Sequence, residues 1–324
     1  MLGRLVNEEL KHADPAYVWG DTLPLFRAAD LRACNLECVL SDRGRPWSAT
    51  PKVFHFRSDA KNVETLKRAG VGLVSLANNH VLDYEYDALI EMLGILDRSG
   101  IGRAGAGRNR DEARRPAVVE CAGIRLAMIA CTDNEPEWEA TAERPGTFYV
   151  PIEPGEERAQ DLLRSVAEAS RMYDLVMVSL HWGPNWGYRP PAEHIAFGRA
   201  LVEAGAAVVF GHSPHVFRGI EIYRGRAILY SAGNFIDDYA VDEIERNDES
   251  FVFAVDAEGR SVREISLYPT VIRRLQARRA GPGRARAIAA KMEALCRDLG
   301  TISRWSMAES CLKIQAPAPA ERAA

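Results

Sequence analysis

Val208-Val209-Phe210-Gly211-His212-Ser213-Pro214-His215 is a β-branched apolar run that breaks on glycine and delivers two imidazoles three residues apart. The same pattern recurs elsewhere in the chain. Val176-Met177-Val178-Ser179-Leu180 delivers His181, Val74-Ser75-Leu76-Ala77-Asn78-Asn79 runs into His80, and Leu31-Arg32-Ala33-Cys34-Asn35-Leu36 runs into Glu37. Short apolar runs alternating with helix patterns predict a layered α/β fold. Ligands of such folds bind outside the carboxyl ends of the strands, so these side chains are expected along one rim. Four of the seven histidines sit at these ends. Singly, each reads as well as a hydrogen-bonded core histidine, and Asn78-Asn79 reads as a turn. Together they predict a shared metal or catalytic site. Imidazole, carboxylate and amide oxygen suit Mn, Fe or Zn, with no thiolate needed. Two such ions bridged by one carboxylate would polarise a phosphoryl or acyl centre and generate hydroxide near neutral pH.

The remaining periodicity fills in the frame. Strands are expected at 71–76, 125–131, 175–180 and 206–210, and helices at 85–98, 156–172 and 192–203. Beyond Gly211 the short runs 220–223, 227–231, 251–255 and 262–268, with a turn at Glu258-Gly259, predict an antiparallel meander. The acidic stretch 237–249 lacks the spaced glycine of a calcium loop and reads as a solvated loop. The last fifty residues read as helical and rich in arginine (Arg273, Arg274, Arg278, Arg279, Arg284, Arg286), most simply a solvated face, with an anion-binding surface as the alternative. Residues 1–312 are thus expected to form one domain with a helical part at 271–312, and 313–324 a disordered tail.

Composition narrows the function classes. In 324 residues, 41 basic against 45 acidic side chains leave a net charge of −4, which excludes a nucleic-acid binder relying on bulk positive charge. Apolar runs such as 175–180 fall far short of the ~20 residues of a membrane helix. The opening Met1-Leu2-Gly3-Arg4 has no secretory pattern, so a cytoplasmic location is expected. Six scattered cysteines need no disulfide framework, and Cys34 and Cys38 lack the two-residue gap of a zinc or redox pair. Gly102, Gly105 and Gly107 do not make a dinucleotide fingerprint. His12, His55 and His194 have no strand-end context and read as structural or surface residues.

The ordered motifs Asn35-Leu36-Glu37, Ser75-Leu76-Ala77-Asn78-Asn79-His80-Val81-Leu82-Asp83-Tyr84, His181-Trp182-Gly183, Gly211-His212-Ser213-Pro214-His215-Val216 and Gly233-Asn234-Phe235 resemble the CapA family. These are the poly-γ-glutamate capsule biosynthesis proteins, a branch of the calcineurin-like metallophosphatase superfamily. The resemblance spans roughly residues 1–310. It implies a four-layer αββα sandwich with two divalent ions at the strand ends. By position, Glu37 resembles the bridging carboxylate, Asn79, His181 and His212 resemble ligands of one ion, and His215 a ligand of the other. His80 resembles the general acid, with Asp83 orienting its ring, and Arg4, Asn35 and Asn234 are expected at the substrate. The family opens with a strand ending in Gly-Asp ahead of a Met-Leu-Gly-Arg-like segment. The present sequence begins at that segment, so the expectation is a fold short of its first strand and a second metal position short of one carboxylate. Ser213 stands where another histidine is common, and Glu85 where glycine often follows Asp-Tyr.

The resemblance implies a metal-dependent hydrolase acting on a phosphoester or a glutamyl or peptide bond. Two other functions fit the same residues: a non-catalytic accessory protein that handles a polyanionic chain, and a metal-assisted peptide epimerase. Turnover separates the first from the second, and deuterium uptake at an α-carbon without cleavage marks the third. The oligomeric state is not legible.

Overall fold

The computed structural model describes residues 1–258 and 261–316. The first of its three main sheets is parallel: β1 (Ala33–Asn35), β2 (Leu73–Ser75) and β3 (Gly102–Ala104), with β2 in the centre. The second holds β4 (Ala117–Cys121), β5 (Ile124–Thr132), β6 (Leu175–His181), β7 (Val208–His212), β8 (Ile220–Tyr223) and β9 (Arg226–Leu229), in the order β8-β9-β7-β6-β5-β4. Its four inner strands are parallel, and both edges are antiparallel. The third is antiparallel, and its strands are β10 (Glu249–Glu258), β11 (Ser261–Arg273), β12 (Gln276–Arg279), β13 (Ser303–Ser306) and β14 (Cys311–Gln315). The mixed α/β class therefore holds.

Helices form where the apolar stripe has helical spacing. α1 (Glu85–Arg98) buries Leu89, Met92, Leu93 and Leu96 in a core beside the first sheet, shared with Leu36, Leu40 and Val74. α2 (Glu157–Met172) and α3 (Ala192–Ala204) bury Leu162, Val166, Phe197 and Leu201 against Val176, Val178 and Val209 of the second sheet. A smaller cluster joins the two sheets: Leu73, Ala77 and Ala104 meet Met128 and Ala130. α4 (Pro282–Asp298) packs Ile288, Met292 and Cys296 onto the third sheet.

Four expectations need correction. β9 runs parallel to β7, so the hairpin of β8 and β9 widens the second sheet, and the meander begins only at Glu249. Of the stretch 271–312, only α4 is helical; Gln276–Arg279, Ser303–Ser306 and Cys311–Gln315 are strands. Arg274 and Leu275, at φ 53 and 60, form the tight turn that folds β12 back on β11. The arginines disguise this hairpin, because long charged side chains suit an exposed strand as well as a helix. Residues 313–315 belong to β14, and the Ala316 N–H donates to the Arg263 carbonyl, so the expected tail is not free there. Residues 317–324, and Gly259 of the expected turn, lie outside the described residues. Finally, 237–249 is solvated only in its middle: Asp237, Asp248 and Glu249 are buried, and Arg284 bonds both Asp248 and Glu249.

Among the described residues, β1 pairs only with β2 and β10 only with β11. A cavity of about 750 Å³ is lined by Ala33, Asn35 and Leu36 from the β1 side and by Phe251, Phe253 and Val255 of β10, and it includes Met1.

Candidate metal centre

Parallel register puts His181 of β6 directly beside His212 of β7. Their Nδ1 atoms face each other at 2.9 Å. His212 Nε2 lies 2.8 Å from the Ser179 hydroxyl, which fixes the ring. Burial pushes the His212 imidazole down to about 3. Burial also holds His181 well below the ordinary histidine range, reinforced by His212, His80, His215 and Lys52. Two neutral imidazoles thus face nitrogen to nitrogen. The pair satisfies itself when one Nδ1 carries a proton, and presents two lone pairs to a cation when neither does.

The turn after β2 supplies the next group. Asn78 is a clamp: its amide donates to Asn35 Oδ1 and the Leu36 carbonyl, both at 3.0 Å, while its own oxygen accepts from the His80 N–H. This ties the end of β1 to the turn carrying Asn79 and His80. Asn79 Oδ1 is buried without a hydrogen-bond partner, the condition of an oxygen placed to bind something else. His80 Nδ1 lies 2.6 Å from Asp83 Oδ2, which also accepts from the Phe56 N–H. A carboxylate accepts only, so Nδ1 carries the proton and Nε2 is the free nitrogen.

Glu37 and His215 both lie near Tyr239. Glu37 accepts from Asn35 at 2.7 Å. His215 Nδ1 lies 2.9 Å from Asn234 Oδ1, with its ring between Tyr239 and Trp186. Burial pushes the neighbouring Asp237 carboxyl up to about 7, with Glu37 adding to the effect, and its Oδ2 has no hydrogen-bond partner. The large cavity is lined by Glu37, His212, Asn234 and Asp237. Among the described residues, no three His, Cys, Asp or Glu side chains are gathered closely enough to form a metal-holding group. Two imidazoles face each other, and the turn that carries the orphaned Asn79 oxygen lies near them, since His80 and Lys52 both act on His181 and Lys52 bonds the Asn79 carbonyl.

The three residues expected at the substrate are all engaged with the protein itself. Asn35 orients Glu37, and Asn234 orients His215. Arg4 bonds Asp238 at 3.1 Å, and its guanidinium lies 5.0–5.6 Å from the rings of Phe54, Phe56 and Tyr239. Of the other histidines, His12 is exposed, His55 contacts the Trp47 carbonyl, and His194 is buried and stacked on Trp182. All six cysteines are free, and burial raises Cys38 to about 11 and Cys34 to about 12, so neither is a ready thiolate.

Sequence reasoning missed Asn78, Lys52 and Asp133. Asp133 directly follows β5, so the strand-end rule applied to the run 125–131 would have found it. Its carboxylate accepts from the Gly183 N–H, and burial raises it to about 6. Lys52 left no such signal, since it lies in a loop.

A layered α/β protein with imidazoles on adjoining strand ends and a buried His–Asp pair is the class that this geometry defines. The chain belongs to the family described as bacterial capsule synthesis protein PGA_cap, which matches residues 1–239. It is similar to the probable polyglutamine synthesis accessory protein Rv0574c of Mycobacterium tuberculosis, 35% identical over 233 residues, covering 70% of this chain and 61% of that one. It is also similar to the PGA biosynthesis protein CapA of Bacillus subtilis, 30% identical over 242 residues, covering 74% and 61%. The chain thus spans about 61% of the length of these two relatives. A solved structure of a hypothetical protein from Thermus thermophilus overlays with a TM-score of 0.42 at 14% identity, covering 79% of this chain and 87% of that one. No helix among the described residues is long and apolar enough to cross a membrane.

Proposed function

We propose that this chain is a metal-dependent hydrolase whose cation is held by His181, His212 and Asn79. The observation that carries the reading is the facing Nδ1 pair, neutral by burial, with the turn that holds the unpartnered Asn79 oxygen near it. A divalent ion there would supply Lewis-acid polarisation of a phosphoryl or acyl oxygen. Asp83 holds the His80 Nδ1 proton and fixes the ring, so Nε2 can take a proton from the attacking water and hand it on to the leaving group. Glu37 and His215 supply the donors of a second position. The names of the relatives support a glutamyl or peptide bond in a capsule polymer as the substrate, with a phosphoester as the alternative.

We also propose the four-layer αββα arrangement for the fold. It is supported by the cluster between the first two sheets and by the helices packed on their far sides. An extended strand lying in the 750 Å³ cavity, paired to the free edges of β1 and β10, would join the first and third sheets into one.

The accessory role in polyanion handling has one observation in its favour. A shallow concavity of about 410 Å³ is lined by Arg273, Arg278, Arg279 and Arg284, all exposed. The test is turnover by Mn²⁺-loaded protein of p-nitrophenyl phosphate and of a γ-glutamyl anilide. We expect metal-dependent release from at least one, falling by about 10²-fold or more in His80→Ala with the fold intact. No turnover of either, together with binding of polyglutamate that survives His80→Ala, would instead favour the accessory role.

A further inference from the structure

The loop before Phe56 sends a lysine into the site. The Lys52 side chain is 8% exposed, and its ammonium lies 2.7 Å from the Asn79 carbonyl, 2.9 Å from Glu135 Oε1 and 3.5 Å from Asp83 Oδ1, with the Trp138 ring 4.6 Å away. The ammonium hydrogen-bonds the Asn79 carbonyl and Glu135 and pairs ionically with Asp83, so it ties the turn 79–83 to the loop at 135. Asp83 is fully buried, and its Oδ1 has no hydrogen bond of its own, so Lys52 is the cation that faces that oxygen. Its other oxygen holds His80. Glu135, in the left-handed region at φ 51 and ψ 65, anchors the ammonium from the far side.

We infer that Lys52 is a positioning residue that sets both working groups of the site at once, His80 through Asp83 and Asn79 through its carbonyl. Asn79 has one peptide plane fixed by Lys52 while its side-chain oxygen is left free, so the lysine sets where that oxygen can point. On the other branch, Asp83 divides its charge between Lys52 and the His80 N–H. The nearer the ammonium, the weaker the carboxylate is as an acceptor for the imidazole. A guanidinium could not reproduce this, because its planar fork does not match three acceptors spread around one nitrogen. The inference rests on the reading above only in taking His80 and Asn79 as working residues.

The experiment follows the His80 Nδ1 proton by ¹H–¹⁵N NMR and the Mn²⁺ dissociation constant by calorimetry, in the full chain and in Lys52→Met, Lys52→Arg and Glu135→Gln. In Lys52→Met the bond from His80 to Asp83 strengthens, the proton moves downfield, and Mn²⁺ binds about tenfold more weakly. Glu135→Gln leaves Lys52 more fully to Asp83, so the proton moves upfield. Lys52→Arg restores the fold but not the resonance position. Shifts in the same direction for the Met and Gln variants, or none in folded protein, overturn the inference, because mere structural support gives no opposed pair. If the parent chain binds no Mn²⁺, the metal reading fails while the proton shifts still decide the role of Lys52. If Lys52→Met does not fold, the Gln and Arg variants decide it.

Discussion

His194 sits on α3 with 3% of its surface exposed, stacked 4.4 Å from Trp182, and its Nδ1 has no hydrogen-bond partner. Burial lowers it from 6.5 to about 4, with Arg218 adding to the effect. The unfolded chain therefore binds more protons than the folded one between those two values. Stability rises with pH across that window and is lost as pH falls from 6.5 toward 4, by up to about 3 kcal/mol. His194→Phe keeps the stack and removes the titration. Urea unfolding at pH 7 and pH 4.5 is expected to show an acid loss smaller by about 2–3 kcal/mol in the variant, while His181 and His212 contribute in both proteins. Gly183 explains why the stack is so close. At φ 73, a Cβ there would lie 2.3 Å from the His194 ring, so Gly183→Ala is expected to lower the thermal midpoint and disturb the adjoining His181. Residue-scale chemistry was legible where a side chain ends a strand, as with His181 and His212. It was hidden where a loop supplies the group, as with Lys52.

α1 opens on a residue of the wrong shape. Glu85 lies at φ 62, a region that costs a side-chain-bearing residue about 1–2 kcal/mol and glycine little. Its compensation is an ion pair with Arg45 at 3.5 Å, and Arg45 is 82% exposed, so the pair is worth little. Glu85→Gly is accordingly expected to stabilise the chain by about 0.5–1 kcal/mol, read as a higher urea midpoint at unchanged slope. An unchanged or lower midpoint would mean that the glutamate's place at the helix N-terminus outweighs the strain. The sequence reading placed α1 at its observed bounds and α2 and α3 within one residue of theirs, because each has a clear apolar stripe. It failed on β12, β13 and β14. These strands are four or five residues long, and β12 and β13 carry exposed arginines, so periodicity had too few positions to act on.

The molecule as a whole joins its three-stranded and six-stranded sheets through a small apolar cluster and brings the turn after β2 near the ends of β6 and β7. The run of residues shows which side chains end strands. It does not show which strands lie side by side, so the pairing of His181 with His212 was legible only as an expectation, and the ties of Asn35 to Glu37 and of Asn234 to His215 were not legible at all. The gap between β1 and β10 is a property of the same scale, since each edge reads as an ordinary strand by itself. The facing imidazoles and Asn79 are proposed to hold a divalent ion. This is tested most directly by elemental analysis of protein reconstituted with Mn²⁺ and dialysed, alongside a His181→Ala/His212→Ala double variant shown to be folded. At least one ion per chain is expected to be retained in the parent, and fewer in the variant. Retention of no ion by the parent, or of the same amount by the folded variant, would contradict it.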